Sequence, residues 1–190
     1  IIALDLYPIT LPKYLTDMVA SENDKNILEQ IKEMIKKKTF FMHVDIAHSN
    51  TTFTGYIKNI DEILKGVKEI KLTLEGLQFS GEIKAERIVE YMQSFDTLHL
   101  NINNEINRTI SGYQSQYVLT GATVYDYSTD YSIDKIKIAE ESEGSLFADT
   151  IVLHATSNVK DGLATETLKI KIKNLDLLFE KERFGMQSLD

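Results

Sequence analysis

In the stretch FMHVDIAHS, residues 41–49, His43, Asp45 and His48 bring two imidazoles and a carboxylate within six positions, the raw material of a metal site. A metal needs three or four ligands converging at about 2 Å. The stretch itself argues against convergence. Phe40, Met42, Val44 and Ile46 alternate with Phe41, His43, Asp45 and Ala47, the period of a half-buried strand. On such a strand His43 and Asp45 share a face about 6.6 Å apart, while His48 falls out of phase. His99 and His154 stand singly on other alternating segments. We therefore expect two exposed histidines beside a hairpin turn and no metal.

Other chemistry is equally poorly provided for. The sequence has no G-x-S-x-G elbow, no H-E-x-x-H, no phosphate-binding loop and no dinucleotide fingerprint, and its nine glycines are scattered. With no cysteine, thiol nucleophiles, disulfides and zinc-thiolate sites are excluded. Glu140, Glu141 and Glu143 fall together in a loop of like charge, which reads as a solvated turn without the ordered ligand spacing of a calcium loop. The expectation is a protein that is not an enzyme and needs no cofactor. A net charge of -8 argues against nucleic acid as a partner, because polyphosphate binding is driven by a basic surface.

Two clusters offer binding rather than catalysis. Tyr113, Tyr117, Tyr125, Tyr127 and Tyr131 place five of the nine tyrosines in one region, which suits a protein or sugar contact or, equally, cross-strand pairs that stabilise a hairpin. Lys169, Lys171 and Lys173 line one face of LKIKIKN opposite Leu168, Ile170 and Ile172. Lysines at such spacing are what an exposed strand carries, and on a sheet edge they discourage aggregation.

The elements that must position these residues follow from periodicity. Residues 1–38 read as a helical start: Pro12 opens a brief helix to Ala20, and Ser21 caps a second whose apolar residues Ile27, Leu28, Ile31, Met34 and Ile35 recur on one face. From Thr39 to Asp190 the period is mainly two. TTFTGYIKNI returns against TFFMHVDIAH as a hairpin, and DEILKG reads as a turn or a single helical turn. KEIKLTLEG and LQFSGEI are strands, and a second helix is expected near residues 84–95 from Ile88, Val89, Tyr91, Met92 and Phe95. TLHLNINNEI, QYVLTGATVYDY, YSIDKIKIAE, LFADTIVLHATS and TETLKIKIKNLDLLF complete a run of strands separated by STD, ESEGS and NVKDG.

The predicted fold class is therefore α+β: a curved, mostly antiparallel sheet, open and half-barrel-like, with an N-terminal helix and a second helix packed on it. No apolar run approaches the roughly 20 residues of a membrane-spanning helix. The chain opens on IIALDLYP and closes on FGMQSLD within an alternating pattern. We read residues 1–190 as a single domain or a fragment of a longer envelope protein.

The phrasing of LTLEGLQFSGEI, YSIDKIKI and TLKIKIKNLDLLFE resembles the YdgA-like family of bacterial envelope proteins of unknown function. It is similar, too, to the open half-barrel surface lipoproteins of Campylobacter and its relatives. The resemblance implies a periplasmic or cell-surface location in a Gram-negative bacterium, a signal or anchor outside these residues, and a concave apolar sheet face. Leu72, Leu74, Phe79, Leu100 and Ile102 would line that face and hold a lipid or other hydrophobic ligand. The alternative is a protein-interaction or adhesion domain that uses the tyrosine-rich hairpins of residues 113–131.

Overall fold

The helical period after Ser21 is realised as α1, Lys25–Lys36. The computed structural model describes residues 1–8, 25–65, 68–140, 144–179 and 182–189. The brief helix read from Pro12 to Ala20, the cap at Ser21 and most of the acidic loop at Glu141 and Glu143 lie outside those residues. Ion pairs Lys32–Glu29 and Lys36–Glu33 lie on the exposed side of α1, and Met34 and Ile35 are buried beneath it.

Twelve strands make up nearly all the rest: β1 Ile2–Leu6, β2 Phe40–Ile46, β3 Thr51–Ile57, β4 Ile60–Lys65, β5 Glu69–Glu75, β6 Gln78–Lys84, β7 Arg87–Ile102, β8 Ile106–Leu119, β9 Tyr127–Glu140, β10 Gly144–Lys160, β11 Leu163–Phe179 and β12 Glu182–Leu189. They form one antiparallel sheet in the order β1-β2-β3-β6-β7-β8-β9-β10-β11-β12, with β4 beside β5 and β5 beside the second half of β7. The sheet is open, because β1 and β12 do not meet.

One line crosses the sheet and explains its shape. By the register on either side, Gly76 falls opposite Asp96, Asp96 opposite Gly112, Gly112 opposite Asp134, and Asp134 opposite Thr150. The backbone is left-handed at Gly76 (φ 68°), Gly112 (65°), Thr150 (49°) and, on β11, Asn174 (50°). Where a strand crosses this line its alternation skips a step. Leu74 and Leu77 pack against the same core cluster, and so do Phe95 and Leu98, although strict alternation would put the members of each pair on opposite faces. The residues between them are polar or glycine: Glu75-Gly76 and Asp96-Thr97 here, Ser111-Gly112 and Asp134-Lys135 on the next two strands. The effect is a crease that keeps the apolar side chains of the two strand halves on one face of the sheet.

Close approach at the crease requires glycine. A Cβ at Gly76 would run into the Asp96 carboxylate, and one at Gly112 into Asp134. The Gly76 N–H donates to Asn59 Oδ1 at 3.1 Å, which carries the crease to the loop between β3 and β4. On the apolar face, the Phe79 ring lies over Gly55 and the Phe53 ring over Gly81, reciprocal aromatic–glycine pairs across β3 and β6. A buried core cluster forms where α1 packs on β4: Met34, Ile60 and Leu74, with Leu72, Leu77, Phe95 and Leu98 around them.

The structure corrects four readings of the sequence. The helix expected at residues 84–95 is a hairpin: β6 ends at Lys84, Ala85 and Glu86 form a two-residue turn with φ 46° and 64°, and β7 begins at Arg87. Positive φ at both turn residues is the type I′ geometry usually coded by Asn-Gly, so Ala-Glu hides it. Long-range pairing of β7 with β6 and β8 then overrides the local helical period. Second, DEILKG is not a turn but most of β4, which pairs with β5 and covers its apolar side chains with Ile60 and Leu64. Third, TLHLNINNEI is broken after Ile102 by a turn at Asn103 and Asn104, and QYVLTGATVYDY by the turn over residues 120–126. Fourth, STD lies inside β9. The hairpin of β2 with β3 forms as predicted, with His43 opposite Thr54.

Candidate functional site

The crease leaves a broad polar face beside it, crossed by two adjacent rows of side chains. In the first, Phe41, Tyr56, Gln78, Ser94, Gln114, Ser132 and Val152 stand opposite one another in succession from β2 to β10. In the second, His43, Thr54, Ser80, Met92, Gln116, Asp130 and His154 do the same. Serines between longer glutamines and methionine leave a groove. Its cavity measures about 670 Å³ and is lined by Phe41, Tyr56, Gln78, Met92, Gln114, Gln116, Asp130 and Val152 among others. That volume is within the roughly 300–1,000 Å³ of small-molecule sites.

The groove is furnished with amides, hydroxyls and flat apolar surface. Gln78 Nε2 donates to Ser94 Oγ at 3.2 Å, and the Phe41 and Tyr56 rings lie 5.0 Å apart. Asp130 is the only charged side chain of the lining, and it is engaged by His154 Nδ1 at 2.7 Å. At the other end of the row, His43 Nδ1 lies 2.6 Å from Asp5 Oδ1 and its Nε2 lies 3.3 Å from Asp45 Oδ2. The Asp5 hydrogen bond raises the His43 imidazole above its usual pKa, slight desolvation pulls it back, and the Asp45 charge adds to the rise. On the opposite face, burial pushes the Tyr91 phenol up, helped by nearby Tyr113.

The known proteins offer no guide to this groove. The chain matches no family model, no curated protein and no solved structure. What the site can do rests on its own chemistry.

The residues singled out by sequence scatter. Leu72 and Leu74 belong to the core cluster under α1. Leu100 stands opposite Leu72 on β7, and Ile102 opposite Ile70, on the same apolar face. Of these five, only Phe79 borders the groove, between Gln78 and Ser80, and its ring lies over Gly55 on the opposite, apolar face. Tyr113 stacks on Phe95 at 4.8 Å and Tyr117 on Tyr127 at 6.0 Å, half-buried ring pairs that bind the hairpins together. Tyr131, 41% exposed, borders the groove between Asp130 and Ser132 but alternates to the opposite face, and Tyr125, 62% exposed, stands on the turn between β8 and β9. Asp126 fixes that turn by accepting from Val159 N, Thr123 Oγ1 and Thr123 N, which together hold its carboxyl below the usual range.

His48 lies in the turn after β2, and His99 Nδ1 pairs with Thr109 Oγ1 at 2.9 Å. Among the described residues no group of three or more histidine, aspartate or glutamate side chains could hold a metal. Glu140, at the edge of the acidic loop, accepts from Arg108 at 2.6 Å. No helix among the described residues is long and apolar enough to cross a membrane.

Sequence reading missed the glutamines and serines of the groove because each lies on the wet side of its own strand. The signal was available in alignment: SFDTLHL (94–100) and SIDKIKI (132–138) match position by position. Each carries the crease aspartate two residues after its groove serine.

Proposed function

We propose that this protein is a non-catalytic binding module of a bacterial cell envelope, and that its polar groove holds an extended, hydroxyl-rich ligand of the glycan class. One observation carries the reading: Gln, Ser and Thr side chains run across five adjacent strands, β3 and β6 to β9, beside the flat rings of Phe41 and Tyr56. Amides pair with hydroxyls, and aromatic rings take the apolar faces of sugar rings. Binding is favoured over hydrolysis because glycoside cleavage needs two carboxyl groups about 5–9.5 Å apart. The groove lining carries Asp130 alone, and His154 engages it. The envelope location rests on the strand phrasing shared with YdgA-like proteins.

Electrophoresis of the full chain through gels containing a panel of neutral and acidic polysaccharides tests this. Retardation by at least one polymer is expected, with Tyr56→Ala weakening it roughly tenfold, about 1.4 kcal/mol. No retardation in any gel would end the reading.

A second reading keeps the hydrophobic ligand on the apolar face. It is favoured by the exposure of Leu4 (42%) and Leu168 (59%) on that face at the two ends of the sheet. Lipid co-purifying with the chain in native mass spectra is the expected sign, and a single unliganded mass would remove this reading. An adhesive use of the tyrosine-rich hairpins would rest on Tyr125 at its turn, and Tyr125→Ala would abolish partner capture while leaving the fold intact.

A further inference from the structure

One side chain of the polar groove is out of keeping with its neighbours. Met92, 43% exposed, stands on β7 in the middle of the lining. Ser80 lies opposite it on β6 and Gln116 opposite it on β8, and the adjacent row sets Gln78, Ser94 and Gln114 alongside. A thioether is thus ringed by amides and hydroxyls. Much of the hydrogen-bonding capacity of that ring is unspent. Among the described residues Gln114 has no side-chain partner, while Gln78 gives an N–H to Ser94 Oγ and Gln116 an N–H to the Glu90 carboxylate. A carboxylate only accepts, so Gln116 must turn its nitrogen to Glu90 and keeps its carbonyl oxygen unspent. Among the described residues the lining holds no lysine or arginine, and its one carboxylate, Asp130, is engaged by His154.

We propose that the groove selects a glycan built of N-acetylated amino sugars, with an acetyl methyl on Met92 and its amide among the surrounding glutamines; this rests on the glycan reading above. An acetamido group is a methyl joined to one C=O and one N–H. Met92 takes the methyl out of water, Gln114 has N–H groups for the C=O, and the carbonyl oxygens of Gln78 and Gln116 accept the N–H. The competing sugars each lose something here. A polymer carrying carboxylates or sulfates finds no cation in the lining to replace the water it gives up. A polymer of free amines sets ammonium groups against a thioether, beside a carboxylate already paired. A plain hydroxyl polymer leaves the Met92 side chain facing a polar group. The substituent on the ring therefore decides the ligand, and the rings of Phe41 and Tyr56 serve all of these sugars alike.

The test titrates the full chain with three β-1,4-linked hexamers that differ only at one ring position: glucose, glucosamine and N-acetylglucosamine. The acetylated hexamer should bind about tenfold more tightly than either of the others, and it should shift the NMR signal of the Met92 methyl. Met92→Ser should bring its affinity down to that of the glucose hexamer, Met92→Leu should preserve the preference, and both variants should keep the wild-type thermal midpoint. Equal affinities, a preference for the hydroxyl or the amine form, an unmoved Met92 signal, or a preference that survives Met92→Ser would each overturn the inference while leaving a glycan groove in place. Binding of none of the three, with retardation by some other polysaccharide in the gels, would overturn it in the same way. Binding of none of the three and retardation in no gel would remove the glycan reading itself, and this inference with it.

Discussion

Replacing Gly76 by alanine tests the crease directly. The residue sits at φ 68°, and a Cβ there would meet the Oδ2, Cγ and Oδ1 atoms of Asp96. The left-handed backbone costs an L-residue about 1–2 kcal/mol. Displacing a packed side chain adds about 1–3 kcal/mol. Gly76→Ala should therefore destabilise the chain by about 3 kcal/mol, which at about 2–4 °C per kcal/mol lowers the midpoint by roughly 6–12 °C. The two contributions separate in a double-mutant cycle, because Asp96→Ala removes all three atoms the new methyl would strike. On the Asp96→Ala background only the backbone term of about 1–2 kcal/mol should remain. Urea titrations of the four proteins measure both values. An equal cost on the two backgrounds would refute the collision, and a cost near zero on the wild-type background would refute the left-handed conformation itself.

Three further outcomes are expected. Met34→Ala empties the centre of the buried cluster under α1 and should cost about 2–4 kcal/mol, read by urea unfolding with loss of helical circular dichroism ahead of the sheet signal. Thr150 holds φ 49°, an unfavourable place for a β-branched residue, so Thr150→Asn should raise stability by about 1 kcal/mol in thermal unfolding. The His43 pKa is raised in the folded chain, chiefly by Asp5. Its stabilisation of the β1–β2 pair is thus full below the unfolded imidazole value of about 6.5 and fades as pH rises through the folded value. Amide exchange over Ile2–Leu6 should lose protection, relative to the intrinsic base-catalysed rate, as pH rises above about 6.5, and an NMR titration of Asp5→Asn should bring the His43 midpoint down.

How much of this was legible depended on whether the signal was local. α1 announced itself because its apolar residues repeat at the helical period and its last turn is basic, both local features. The β2–β3 hairpin was legible from its alternation and the Ser49-Asn50 turn. Residues 84–95 misled because Ile88, Val89, Met92 and Phe95 fit a helical spacing better than a strand one, Met92 and Phe95 falling on opposite faces of β7, and the deciding turn at Ala85-Glu86 lacks turn residues. The turn at Asp161-Gly162, with φ 53° and 77°, has the usual composition, but the loop NVKDG read around it was too long, since Asn158, Val159 and Lys160 belong to β10. The crease was illegible one strand at a time: two polar residues in succession look like noise in an alternating pattern. Only the register of neighbouring strands makes Gly76, Asp96, Gly112 and Asp134 a line. The groove inherits that difficulty, since Gln78, Ser94, Gln114 and Ser132 are ordinary exposed residues until pairing sets them side by side.

That line also determines how such a sheet can change length over evolutionary time. Because each strand from β7 to β10 crosses the crease at a matched position, whole hairpins are the interchangeable unit, and duplicating one would lengthen the sheet with its faces kept in phase. A single-residue deletion between a turn and the crease would instead turn half a strand inside out. Insertions should therefore be tolerated at the hairpin tips, such as Asn103-Asn104 and Asp161-Gly162, and be lethal to folding in the strand halves.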